Sequence, residues 1–173
     1  NDTVYTGCKN EWNDTANWEF FQSYNNVVIG GITDRSGEAG FKIISADIQI
    51  IGVKTRRSGR YNLGTNECAH YFIEGASSRV VISAPNTKTG NDDGGGGDVT
   101  PSYGISLRGT RPGSLVVTGG NMDGVVTSAY TAFSDAVETK IIGVAGIDDI
   151  VNVGVYQEGN GRRYINSKST GNL

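Results

Sequence analysis

Carboxylates are the first side chains whose placement suggests chemistry. Glu74 closes a short apolar run, and Asp92, Asp93, Asp98 and Asp123 occupy the polar stretches after it. Cleaving a glycosidic bond takes two carboxyls about 5 to 9 Å apart, one protonated as the acid and one ionised as nucleophile or base. Glu74 with Asp98 or Asp123 is the candidate catalytic pair. Residues 84–103 (APNTKTGNDDGGGGDVTPSY) gather Asp92, Asp93 and Asp98 around four consecutive glycines. Carboxylates on so permissive a backbone could wrap calcium, whereas the run lacks the Lys-Ser/Thr ending of a phosphate-binding loop. No other metal or cofactor is expected.

Cations form a second candidate set. Residues 54–69 (KTRRSGRYNLGTNECA) carry Arg56, Arg57 and Arg60 beside Tyr61. Guanidinium forks match carboxylates and phosphates, so this loop is the expected grip on an anionic ligand. Trp12, Trp18, Tyr61, Tyr71 and Tyr103 add flat faces on which sugar rings could stack, with Tyr61 and Tyr103 the expected contacts. His70 is the sole histidine, which leaves no second imidazole for nucleophilic catalysis within the chain. Cys8 and Cys68 belong to no C-x-x-C pair, and their spacing leaves open whether they meet.

The elements that must position these groups are strands. Among 173 residues, Ile and Val number 15 and 16 against four Leu, an excess that suits a pleated surface better than a helix. Gly contributes 26 residues and Pro only three, so the chain turns often while keeping its backbone donors. Five units recur, each with a first apolar run, a turn and a second run: WEFFQSYNNVVIGG, FKIISADIQIIGV, YFIEGASSRVVIS, GISLRGTRPGSLVVTG and KIIGVAGIDDIVNVGV. Phe20, Ile43, Phe72, Ile105 and Ile141 mark the first runs at steps of 23, 29, 33 and 36 residues. Val28, Ile50, Val81, Val116 and Val151 mark the second at 22, 31, 35 and 35, so the added residues fall between units.

That spacing predicts an all-β solenoid, a right-handed parallel β-helix of about five coils with loop insertions on one side. Residues 1–17 are the lead-in, 18–155 the coils and 156–173 a tail or the start of a following region. Ile43, Phe72, Ile105 and Ile141 are expected in one internal stack, and Ile50, Val81, Val116 and Val151 in another. Lys42, Gln49, Arg79 and Ser106 alternate with them as outward positions. A β-sandwich of hairpins is the alternative.

A formal net charge of -3 gives no global positive field for nucleic acid, and no apolar stretch approaches the ~20 residues that cross a bilayer. The start at Asn1 suggests an excerpt of a longer chain. The runs FIEGASSRVVIS and GISLRGTRPGSLVVTGGNMDG, with polar loops between coils, resemble the β-helical tailspike and receptor-binding proteins of tailed bacteriophages. The resemblance implies a homotrimer on the virion tail, outside the cell, that binds a bacterial surface polysaccharide. Some relatives also cleave it, so a depolymerase (glycoside hydrolase or lyase) is the alternative. Residues 134–138 (SDAVE) resemble the self-cleaving junction of some phage appendages, and would make a cut after Ser134.

Overall fold

The computed structural model describes residues 2–61, 65, 67–75, 78–88, 100–108, 113–132, 139–147, 156–157 and 163–164. Short strands follow one another in threes: β1 (Thr3–Thr6), β2 (Lys9–Glu11) and β3 (Trp18–Phe21), then β4 (Asn26–Ile29), β5 (Ile32–Asp34) and β6 (Phe41–Ile44). The third round is β7 (Asp47–Ile51), β8 (Lys54–Arg56) and β9 (Ala69–Glu74), and the fourth β10 (Arg79–Ser83), β11 (Asn86–Lys88) and β12 (Tyr103–Arg108). After β13 (Ser114–Thr118) a single bridge at Asn121 stands in for the middle strand, before β14 (Ser128–Ala132) and β15 (Thr139–Ile142). The last pair, β16 (Tyr156–Gln157) and β17 (Arg163–Tyr164), is antiparallel.

Each member of a triplet joins a different sheet. The first sheet runs β1-β4-β7-β10-β13-β15, the second β2-β5-β8-β11, and the third β3-β6-β9-β12-β14. Every pairing in these three sheets is parallel, and no helix occurs among the described residues. The molecule is therefore all-β, and the hairpin sandwich is excluded for these strands. Residues 3–11 are more than a lead-in, because β1 and β2 pair with β4 and β5.

The core follows from register. On the first sheet Tyr5, Val28, Ile50, Ile82, Val117 and Ile141 sit one above another. On the third, Trp18, Phe41, Tyr71, Ile105 and Tyr130 make one row, and Phe20, Ile43, Ile73 and Leu107 the next. Parallel strands lie ~4.8 Å apart, so like residues meet at close to ring-stacking distance. Trp18 and Phe41 stack at 5.9 Å and 4°, Phe41 and Tyr71 at 5.4 Å and 13°. The second sheet instead contributes a polar row, Asn10, Thr33, Thr55 and Thr87, with the three threonines buried.

These rows correct the expected stacks. Phe72 pairs with Lys42 and Ser106, one residue out of phase with Ile43, and Val81 pairs with Val116 as expected but in the outward row of Gln49, while Ile50 pairs with Ile82. Ile43 and Ile105 lie in adjacent rows, and Ile141 belongs to the first sheet. The preceding run in the third sheet is Ser128–Ala132, whose single Tyr130 made it look like a loop. Val151 lies outside the described residues. Ser106 and Phe72 have the outward phase and are buried nonetheless, so alternation alone misjudges the covered face of the third sheet. The added residues of the third round fall between β8 and β9, from the second sheet to the third.

The corners share a backbone device. Gly30 and Gly52 turn the chain from the first sheet into the second at φ 61°, a left-handed conformation that a Cβ disfavours, and Ala84 holds the same corner one level on at φ 49°.

Register makes a sharp prediction. Ile82→Asp, inside the row between Ile50 and Val117, should strand a charge in the core, cost at least several kcal/mol and abolish the cooperative melt followed by circular dichroism. Val81→Asp, on the other face, should keep it. Equal damage from both would overturn the register.

Candidate functional site

The corner between the second and third sheets builds a site from the same stacking rule. Trp12, Arg35 and Arg57 each follow a three-residue strand, and all three are left-handed, with φ of 61°, 53° and 51°. Trp12 N–H donates to Asp34 O at 3.2 Å and Arg35 N–H to Arg56 O at 3.3 Å, so the turns lie on one another. An L side chain pays roughly 1–2 kcal/mol for this conformation, which the stacked hydrogen bonds and side chains must offset.

Asp34 is the hub beneath the surface. Its carboxylate is fully buried and accepts a two-pronged contact from Arg57, with Nε to Oδ1 at 2.6 Å and Nη2 to Oδ2. Arg35 Nη1 reaches Oδ2 at 3.1 Å and Arg56 Nε lies 3.0 Å from it. Asn17 locks the neighbouring backbone, donating through Nδ2 to Thr33 Oγ1 at 2.7 Å and to Asp34 O at 2.8 Å. A buried pair of this kind gives little net stability, but removing one partner strands the other and costs about 3–5 kcal/mol.

Beside the hub, two largely covered arginines pack against the exposed rings of Trp12 and Tyr61. Arg35 stands over the Trp12 ring, its Cζ 4.5 Å from the centroid, and Arg60 lies 5.1 Å from Trp12 and 4.6 Å from Tyr61. Tyr61 donates its hydroxyl to Asp14 Oδ1 at 3.1 Å, and Arg60 Nη2 approaches the same oxygen at 3.7 Å. Gly37 packs so tightly below Asp14 that a Cβ there would meet the Asp14 carbonyl oxygen at 1.9 Å. Cations on the rings and a bond to the carboxylate hold Trp12, Asp14, Arg60 and Tyr61 in one patch.

The expected residues are thus dispersed in role. Arg57 is buried against Asp34 and has no surface to offer a ligand, and Arg56 points to the same carboxylate. Arg60 and Tyr61 do reach the surface patch, while Tyr103 opens β12 with its N–H on Cys68 O at 3.0 Å. Glu74 ends β9, where the third sheet leads back to the first, whereas Asp123 follows the bridge at Asn121 beside the second sheet and its carbonyl oxygen accepts from Thr87 Oγ1 at 2.7 Å. The two carboxylates thus belong to different sheets and are not brought together as a pair. Asp92, Asp93 and Asp98, with their calcium reading, and residues 134–138 lie outside the described residues. Both cysteines are free thiols.

Asp14, Asp34 and Arg35 escaped the sequence reading although a signal existed. Trp12, Arg35 and Arg57 are 23 and 22 residues apart, the same steps that separate Phe20 from Ile43 and Val28 from Ile50. A comparison with protein-family models finds no match.

Below this patch His70 is enclosed. Its Nδ1 lies 3.2 Å from Ser58 Oγ, its Nε2 has no hydrogen-bond partner among the described residues, and burial pushes its pKa down to about 3. The folded chain holds a neutral ring where the unfolded chain takes up a proton near pH 6.5. His70 thus costs nothing above that pH, and stability falls as pH drops from there towards 3, by up to about 1.4 kcal/mol per pH unit. Urea titrations between pH 6.5 and 5 should show that slope, and His70→Asn should flatten it. A slope unchanged in the variant would assign it to other groups.

Proposed function

We propose that the three parallel sheets close into a right-handed β-helix of about five coils, and that the chain is a receptor-binding segment of a phage tailspike or tail fibre that holds a bacterial surface polysaccharide. Strand orders that step by three, and by two only in the last round where the Asn121 bridge replaces a strand, support closure, and right-handed crossovers are the strong preference for parallel strands. The observation that carries the binding reading is the exposed aromatic pair Trp12 and Tyr61, gripped by Arg60 and set beside Asp14 on stacked turns. Sugar rings bury their C–H faces on such rings, while hydroxyls take the polar groups at the edge. Binding without cleavage is favoured over a depolymerase because Glu74 ends a strand of the third sheet while Asp123 is held beside the second.

Assembly as a homotrimer, exposed on the virion outside the host cell, belongs to the same reading. Its support is the outer face of the first sheet, where Ile29 and Ile51 are exposed side by side and Val4 and Ile142 lie on the first and last strands, with Ser83 and Thr118 between Ile51 and Ile142. Exposed apolar side chains grouped on one face favour contact with another surface. Light scattering at micromolar concentration should give three times the chain mass, and a monomer would remove the trimer from the proposal.

Binding is tested with polysaccharide purified from bacterial surfaces. The parent protein should bind at least one host glycan, and Trp12→Ala and Tyr61→Ala should each weaken it by on the order of tenfold, the scale of one aromatic contact. Failure to bind any such glycan, or variants that bind as the parent does, would overturn the assignment.

A further inference from the structure

We infer that the Trp12–Tyr61 patch takes an uncharged sugar, with the Asp14 carboxylate accepting its hydroxyls; this deepens the glycan-binding reading and rests on it. The loop's cations suggested an anionic ligand, but the side chains that reach solvent are others. Asp14 is 84% exposed, against 12% for Arg60, 16% for Arg56, 6% for Arg35 and none for Arg57. Tyr61 is 62% and Trp12 51% exposed. An arriving ligand therefore touches two aromatic surfaces and a carboxylate, while the guanidiniums lie beneath them.

Each cation is already engaged. Arg57 and Arg35 bond Asp34, and Arg56 pairs with the same carboxylate. Arg60 donates through Nε to Arg35 O at 2.9 Å and faces both rings. To reach an anionic sugar, a guanidinium would have to leave a buried carboxylate, a carbonyl or an aromatic face. Positive charge below the patch holds the Trp12 ring and the Asp14 carboxylate in place.

Asp14 is suited to hydroxyls. An ionised carboxylate only accepts hydrogen bonds, and its two oxygens can take two adjacent O–H groups. Oδ1 is oriented by the Tyr61 hydroxyl at 3.1 Å, and Oδ2 makes no bond among the described residues. A uronate or a phosphorylated sugar at this position would set like charges against each other. A neutral ring stacked on Tyr61 or Trp12 would present vicinal hydroxyls at its rim instead.

The test uses polysaccharides from a panel of bacterial strains, separated on an anion exchanger into neutral and acidic pools and offered to the whole chain. The neutral pool should be retained, and its affinity should change less than twofold between 50 and 500 mM NaCl, because exposed ion contacts are what salt screens. Asp14→Asn, which turns one acceptor oxygen into a donor, should weaken binding at least fivefold with the circular dichroism melt unchanged. Tyr61→Phe, which keeps the ring and frees Asp14, should weaken it two- to threefold. Preference for the acidic pool with steep salt dependence, or an Asp14→Asn variant that binds as the parent does, would overturn the neutral-sugar inference and leave glycan binding standing. Retention of neither pool would overturn the glycan reading itself.

Discussion

Parallel in-register stacking is the constraint from which the rest of this structure follows. Each strand inside the three sheets satisfies its backbone groups on the strand one round earlier and one round later, so its inward side chains meet inward side chains at a fixed ~4.8 Å spacing. Rows such as Val28, Ile50, Ile82 and Val117 are the result, and so are the nearly parallel rings of Trp18, Phe41 and Tyr71. A shift of one residue in a single strand would carry Lys42 or Gln49 inwards and turn Ile43 or Ile50 out. Hydrophobic burial thus fixes register where one face is enclosed.

The same rule, applied to the turns, produces the polar corner. Three rounds place Trp12, Arg35 and Arg57 at one backbone position, and stacking like positions there brings cations close together. Like charges repel, so the arrangement holds only with a counter-charge inside it. Asp34 supplies one, fully buried and shared by three guanidiniums, and the Trp12 ring supplies a polarizable face above Arg35. Desolvating these charges is expensive, and their mutual attraction in a low dielectric offsets much of that cost. What they contribute is geometry, a corner stiff enough to hold exposed aromatic rings.

The proposed glycan-binding surface gains from that stiffness. Sugar contacts are individually weak, and a surface that has to be ordered on binding loses part of each one to entropy. Turns tied to their neighbours by Trp12 N–H on Asp34 O, Gly37 N–H on Asn13 O and Tyr61 N–H on Gly37 O are ordered beforehand. His70, enclosed below them as a neutral ring, links the stability of this region to pH without taking part in contact with a ligand.

Much of the fold was legible in the chain because β-branched residues recur at coil-length steps, and the runs through Ile43, Ile50, Ile105 and Val116 all prove to be strands of parallel sheets. The second sheet was not legible. Its strands are three residues long and face inwards through Thr33, Thr55 and Thr87, whose hydroxyls read as loop until a neighbouring strand buries them. The phase of Phe72 and Val81 was also hidden, since both faces of those strands carry apolar residues and only the partner strand decides which face turns in. For the site, sequence alone determined that arginines and aromatics crowd one loop. Tertiary structure decided that Arg57 turns inwards while Asp14 and Tyr61 stay out, because a guanidinium is buried only where a carboxylate such as Asp34 waits for it, and that carboxylate comes from the preceding round of the chain.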